Sequence, residues 1–280
     1  MSNIHDKEKE VVTGRGNLSF TSINLPRIAL LYKDKEEFFK ELDSTMNLAI
    51  EQLLERFDIQ KKLHVYNFPF LMGQNVWLDS DKLKKEDTIE EVIKHGTLAV
   101  GFIGLAETLK VLTGYHHAEN DETQAFGLKI IKFMRDKMDE TAKKHKLNFS
   151  LIATPAEGLS GRFVRMDRKK FGVIEGVTSH EFYTNSFHVP VYYKTEAYHK
   201  IDVEAPYHEL TNGGHITYIE LDGNPRNNIQ AFESIIKYMN QKGIGYGSIN
   251  HSVDYDPVCK YVGIINNECP RCKRVETKDQ

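Results

Sequence analysis

Between residues 35 and 57, apolar side chains return every three or four positions, at Phe39, Leu42, Met46, Ala49, Leu53 and Phe57. That spacing places them on one stripe of an amphipathic helix. Residues 17–25 alternate instead: Leu18, Phe20, Ser22 and Asn24 fall on one side and Ser19, Thr21, Ile23 and Leu25 on the other, as in a strand, and Pro26 closes it. The same two periods share out the rest of the chain. Thr88 and Glu91 form a T-x-x-E capping box, Gly96 interrupts, and the apolar stretch up to Thr113 and Gly114 reads as a second, largely buried helix. Residues 121–146 carry a helical stripe through Phe126, Ile130, Phe133, Met134 and Met138. They end on Lys143, Lys144 and Lys146, which suit the negative end of a helix dipole. Residues 149–153 follow as a strand. Then come an extended segment over 183–193, a short helix over 195–208 and an alternating strand over 215–221. A helix opened by Pro225 and closed by Gly243, and a strand over 244–250, complete the series. Strands alternating with helices predict an α/β body over residues 1–251. From 252 to 280 regular patterning gives way to a tail rich in Cys, Pro, Gly and Asn, read as a small appended ribbon.

Composition narrows the class. The 280 residues are 40% hydrophobic and 28% charged, enough to bury a core. The longest run without a charged or strongly polar side chain, Leu98 to Ala106, ends at Glu107, far short of the ~20 apolar residues of a membrane helix. With 37 basic against 40 acidic residues, the net charge of -3 provides no global field for nucleic acid or a membrane surface, so neither is expected as a partner. Residues 1–10 are polar and mixed in charge, unlike a signal or transit peptide, and a cytoplasmic address is expected.

Three places can carry chemistry. All three cysteines, Cys259, Cys269 and Cys272, lie in the tail, and an odd count argues against a paired disulfide framework. A C-x-x-C knuckle with a third thiolate ten residues earlier can surround one tetrahedral ion, with Zn2+ the natural candidate and His251 or Asp256 the possible fourth ligand. The alternative is three free thiols. The second place is ATPAEGLSGR, residues 153–162, at the end of a strand. Thr154 can cap a helix there and Pro155 fits its first position. The amides from Ala156 to Gly158, with Ser160 and Arg162 close by, can then meet a phosphate. Glu157 would repel an anion unless it faces a sugar hydroxyl or a proton in transit. The same residues also read as an ordinary capped helix whose first turn Glu157 stabilises. The third is Gly14-Arg15-Gly16-Asn17-Leu18, where two glycines allow close backbone approach at the mouth of a strand. Further polar clusters stand at His180, Tyr183, Asn185, Ser186 and His188, and at Asn212-Gly213-Gly214-His215. No H-E-x-x-H, nucleophile elbow or P-loop is present, which leaves a conventional hydrolase or kinase unsupported.

Six blocks in order, GRGNLSFTSINLPRIAL, KHGTLAVGFIGLAETL, ATPAEGLSGRF, YTNSFHVPV, NGGHITYIELDG and GYGSINHSVDYDPVCKYVGIINNECPRC, resemble the C-terminal half of the large subunit of anaerobic (class III) ribonucleoside-triphosphate reductases. The resemblance implies about half of a ten-stranded α/β barrel of the glycyl-radical type, followed by a zinc ribbon. It implies reduction of ribonucleoside triphosphates to 2'-deoxyribonucleoside triphosphates with formate as reductant, a radical-SAM activase as partner, and a homo-oligomer when complete. Residue by residue, Asn17 matches the active-site asparagine whose amide would bond the ribose or formate. Glu157 matches a glutamate near the ribose, and Ala156 to Gly158 match a phosphate-binding turn. Cys259, Cys269 and Cys272 match three of four ribbon cysteines, with Asp256 at the place of the fourth.

The departures from that pattern bear on activity. The family's thiyl-radical cysteine precedes the G-R-x-N-L block and its glycyl-radical motif follows the ribbon. Here no cysteine precedes Cys259, and the residues after Cys272 read KRVETKDQ. Abstracting the 3'-hydrogen of a ribose requires a thiyl radical, storing that radical between turnovers requires a glycine, and groups that only position substrate replace neither. The chain is therefore expected to be inactive alone and to need the missing reductase segments in trans. The alternative is a non-catalytic zinc-bearing nucleotide-binding or interaction module, or a defunct remnant.

Overall fold

The computed structural model describes residues 13–275, apart from 222, 224, 252, 264 and 266 and the side chain of 157. Two compact units divide the chain: Met1–Lys194 with Pro206–His215, and Thr195–Ala205 with Ile216–Gln280.

The first unit is built on β1 (Asn17–Asn24), β2 (Thr97–Ile103) and β3 (Asn148–Ala153), paired parallel in that order. Asn17 lies level with Thr97, and Thr97 with Asn148. Alternation gives the sheet two unlike faces. One carries Ile23, Leu98, Val100, Phe102, Phe149 and Leu151 into the main core, against α2 (Lys35–Gln60) and α5 (Asp121–His145). The other presents the small residues Ser22, Gly101, Ser150 and Thr154 together with Phe20, Ile103 and Ile152. Asp34 caps α2 by accepting from the amides of Glu36 and Glu37, and Asn120 caps α5 through the amide of Thr123. The predicted stripes hold, slightly rotated on α2: Phe38 and Ile50 are fully buried, while Phe39 and Phe57 sit at the margin of the core. A seven-residue helix, α1 (Leu25–Leu31), follows β1 directly, capped by Asn24.

The stretch from Thr97 to Thr113 corrects the predicted buried helix. Its first half is β2, in which every residue is buried, and its second is α4 (Leu105–Thr113). A central strand covered on both faces has no polar side to reveal a period of two, so its sequence reads as a continuous apolar run. Gly104 turns the chain at φ 83° between the two elements. The preceding helix, α3 (Glu90–Ile93), is a single turn with Ile89 at its N-cap and no side-chain cap, so the Thr88–Glu91 box does not form. Thr88 instead bridges antiparallel to His64.

Residues 183–193, expected to be extended, form no strand; their backbone touches the sheet at one bridge between Ile103 and Asn185. The Asn212-Gly213-Gly214 cluster lies beside β3 as an added rung. The amide of Gly213 donates to the carbonyl of Leu151 (2.7 Å), the amide of Ala153 donates to the carbonyl of Gly214 (2.9 Å), and Asn212 Oδ1 accepts from the amide of Leu151 (3.1 Å). Gly213 fits because a Cβ there would meet Ser150 Oγ at 2.7 Å and the Leu151 carbonyl at 2.8 Å. α6 (Glu157–Phe171) follows β3.

In the second unit, β4 (Thr217–Leu221) and β5 (Gly247–His251) pair parallel and pack on α8 (Ile229–Gln241) through Ile219, Ile235, Met239 and Ile249. Pro225 opens a 3-10 turn rather than α8 itself, which Asn228 caps. α7 (Ala197–Leu210) has Ile201 in this core. The tail forms a short antiparallel pair, β6 (Asp254–Tyr255) with β7 (Val262–Gly263). Among the described residues no helix is long and apolar enough to cross a membrane.

Candidate substrate groove and metal centre

A cavity of about 440 Å³ opens on the first unit, lined by Asn17 to Phe20 of β1, Arg56 of α2, Ile152 of β3, and Thr154 and Pro155 just beyond it. Asn17 is level with Asn148. Ile152 and Thr154 stand four and six residues further on, so the lining residues are spread along the strands rather than gathered at one level. Arg56 reaches the edge of β1, where Nη1 donates to the Phe20 carbonyl (3.2 Å), and brings a cation to the groove.

Thr154 does not cap a helix, and Pro155 is not the first helical residue. α6 begins at Glu157 with Ala156 as its N-cap and no side-chain cap. The Thr154 hydroxyl is occupied across the sheet: its Oγ1 lies 3.0 Å from Ser22 Oγ and fills the space above Gly101, where any Cβ would overlap it. The leading amides of α6 therefore have no side-chain partner in the cap. Gly158 is exposed with open space around it, whereas Ser160 is buried and donates its amide to the Ala156 carbonyl (2.9 Å). The Glu157 side chain lies outside the described residues. The groove thus joins Asn17 to Thr154 and Pro155, but not to the body of α6.

The tail draws four donors together. One ligand atom from each of Asp256, Cys259, Cys269 and Cys272 falls within 4.8 Å of the others. Cys259 Sγ and Cys269 Sγ are 3.6 Å apart, and the Cys272 thiol donates to Asp256 Oδ2 at 3.2 Å. Asp256 and Cys269 are buried, Cys259 partly so, and Cys272 is exposed. Three thiols and a carboxylate converging at this spacing suit a tetrahedral ion. His251, on β5, is not among the converging donors.

A family profile described as anaerobic ribonucleoside-triphosphate reductase matches residues 2–279. The chain belongs to this reductase family. It is 35% identical over 277 residues to the anaerobic ribonucleoside-triphosphate reductase of Escherichia coli (strain K12), covering 96% of this chain and 38% of that one. The enzyme of Enterobacteria phage T4 is 33% identical over 252 residues, covering 88% and 39%. The crystal structure of the anaerobic ribonucleotide reductase from Thermotoga maritima with glycerol in the active site superposes with a TM-score of 0.73 at 19% identity, over 94% of this chain and 41% of that chain. The chain thus spans about 38% of the length of the curated reductases it matches.

Two buried groups were not legible in the sequence. Asp167 of α6, fully buried, accepts from Asn24 Nδ2 (2.8 Å), Arg27 Nε (2.5 Å) and the Tyr183 hydroxyl (2.9 Å), tying α6 to the end of β1 and the start of α1. Burial, and then the Asp167 charge, pushes the Tyr183 hydroxyl up, which keeps it a donor. Glu107 of α4 is also buried; its Oε1 accepts from the amide (2.8 Å) and hydroxyl (2.7 Å) of Thr184, while Oε2 has no partner among the described residues. Burial pushes its carboxyl up to about 6 against the pull of those two donors. Asp167 and Glu107 were not legible because their partners lie as many as 143 and 77 residues away.

Proposed function

We propose that this chain supplies the substrate-side wall of an anaerobic ribonucleoside-triphosphate reductase that converts ribonucleoside triphosphates to 2'-deoxyribonucleoside triphosphates with formate as reductant. The observation that carries this reading is the groove: Asn17, a neutral donor, and the turn at Thr154 and Pro155 share one cavity on a parallel sheet, in a chain matched along nearly its whole length by the family. In this reading the Asn17 amide holds the ribose or formate. The triphosphate meets the leading amides of α6, from Ala156 to Gly158, with Thr154 and Ser160 shaping the turn and Arg56 adding charge. Glu157 stands at the ribose. The sheet contributes to a ten-stranded barrel, and the cysteine triad carries a structural zinc in the ribbon. The thiyl radical that removes and restores the 3'-hydrogen, and the glycyl radical that stores the unpaired electron between turnovers, come from outside these 280 residues, and a radical-SAM activase generates the glycyl radical in an oligomeric assembly. Without them, this chain's own residues bind and orient.

The test is to combine the chain with the remaining reductase segments and the activase in the absence of oxygen and to assay deoxyribonucleotide formation. Product is expected, and Asn17→Ala is expected to lower its rate about 10- to 100-fold, the value of one strong hydrogen bond to the reacting centre. Triphosphate binding by calorimetry without product in any mixture would leave a binding module rather than a reductase component.

A further inference from the structure

The metal centre is made of two turns with one backbone design. In the second, the amide of Lys273 donates to the Cys269 carbonyl (2.9 Å), the amide of Cys269 donates to the Arg274 carbonyl (2.8 Å), and Lys273 is left-handed at φ 63°. In the first, the amide of Lys260 donates to the Asp256 carbonyl (2.8 Å), the amide of Asp256 donates to the Tyr261 carbonyl (2.9 Å), and Lys260 is left-handed at φ 61°. Each of these bonds spans the same number of residues in both turns, so Asp256 occupies the station of Cys269. The side chains repeat the match. The amides two and three residues on, of Arg271 and Cys272, point at the Cys269 sulfur, and those of Val258 and Cys259 donate to Asp256 Oδ1 at 2.8 and 3.2 Å. A thiolate must serve both amides and ion with one atom, whereas a carboxylate has two. Oδ1 is held by the amides and by Arg274 Nη2 (3.3 Å), and Oδ2 faces Cys272 Sγ.

We infer that Asp256 is the fourth metal ligand, binding through Oδ2, so that this chain carries a three-sulfur, one-oxygen centre. Three thiolates and a carboxylate around a divalent ion leave the same net charge as four thiolates. The harder oxygen donor holds zinc less firmly than a fourth sulfur, and Arg274 competes for the same carboxylate. The ion therefore leaves to a chelator faster than from a four-cysteine version of the same site.

The inference rests on the zinc centre proposed above, and cobalt separates the two. The full chain, purified anaerobically and loaded with Co2+, is expected to show tetrahedral thiolate-to-cobalt absorption for three sulfurs, rising toward four in Asp256→Cys, which also slows zinc release to a chelator. Asp256→Asn keeps an acceptor for the turn amides but loses the anionic ligand, and is expected to weaken zinc binding more than about 100-fold, beyond the usual loss of an outer partner. His251→Ala is expected to change nothing. Native zinc affinity in Asp256→Asn, no added sulfur signal in Asp256→Cys, or loss of metal in His251→Ala would each overturn the assignment. A native chain with no cobalt–sulfur absorption at all would instead remove the metal centre itself.

Discussion

Glu107 is a carboxyl whose protonation the fold has already biased. Its value rises from 4.5 to about 6 as burial strips its water, so the folded chain binds a proton that the unfolded chain has released between those two pH values. Stability from this group is present below about pH 4.5 and is lost as pH rises through 6, a difference of about 2 kcal/mol. Glu107→Gln keeps the Oε1 acceptor for Thr184 and removes the titration. Urea unfolding is therefore expected to show the variant gaining about 2 kcal/mol on the native chain between pH 4 and pH 7; parallel pH profiles would mean that the carboxylate finds solvent. The sequence exposed some residues at this scale and hid others for the same reason. Cys259, Cys269 and Cys272 stand close together in the chain and advertise a shared task, whereas Glu107 looks like the polar end of an apolar run until Thr184, 77 residues on, is brought to it.

At the scale of elements, β1, α2 and α5 were legible because each buries one face and leaves the other nearer water, which writes a period into the sequence, whereas β3 is buried on both faces. β2 buries both and writes none. Its register against the neighbouring strands is nonetheless enforced by a missing side chain. At Gly101 a Cβ would overlap Thr154 Oγ1 and come within 2.9 Å of Ser22 Oγ. Gly101→Ala is expected to cost about 1–3 kcal/mol as an overpacked core position, and Thr154→Ala about 1 kcal/mol for its hydroxyl contact. The double variant should cost clearly less than the two together, which a double-mutant cycle by denaturant unfolding will show; simple additivity would place the clash elsewhere.

For the whole molecule, the patterning placed a boundary near residue 252, while the compact units divide at Lys194, Ala205 and His215, and Ala205 lies in the middle of α7, where the helical period continues unbroken. Local period carries no information about which distant elements a segment joins. Chelation tests the independence of the tail. Removing the proposed metal is expected to speed amide deuterium exchange over residues 254–275 and to leave β1, β2 and β3 unchanged, since their core contains none of the four converging donors. Faster exchange in β2 would show that the centre supports the first unit as well. The first unit is itself discontinuous: the rung laid beside β3 by Gly213 and Gly214 reaches it only after eleven residues, Thr195–Ala205, have been committed to the other. On the ribosome, then, β3 emerges with its outer edge bare and must wait some sixty residues of synthesis for the strand-like segment that closes it. During that interval the nascent chain is open to pairing with any other extended polypeptide, which makes the order of translation part of how this protein reaches its native form.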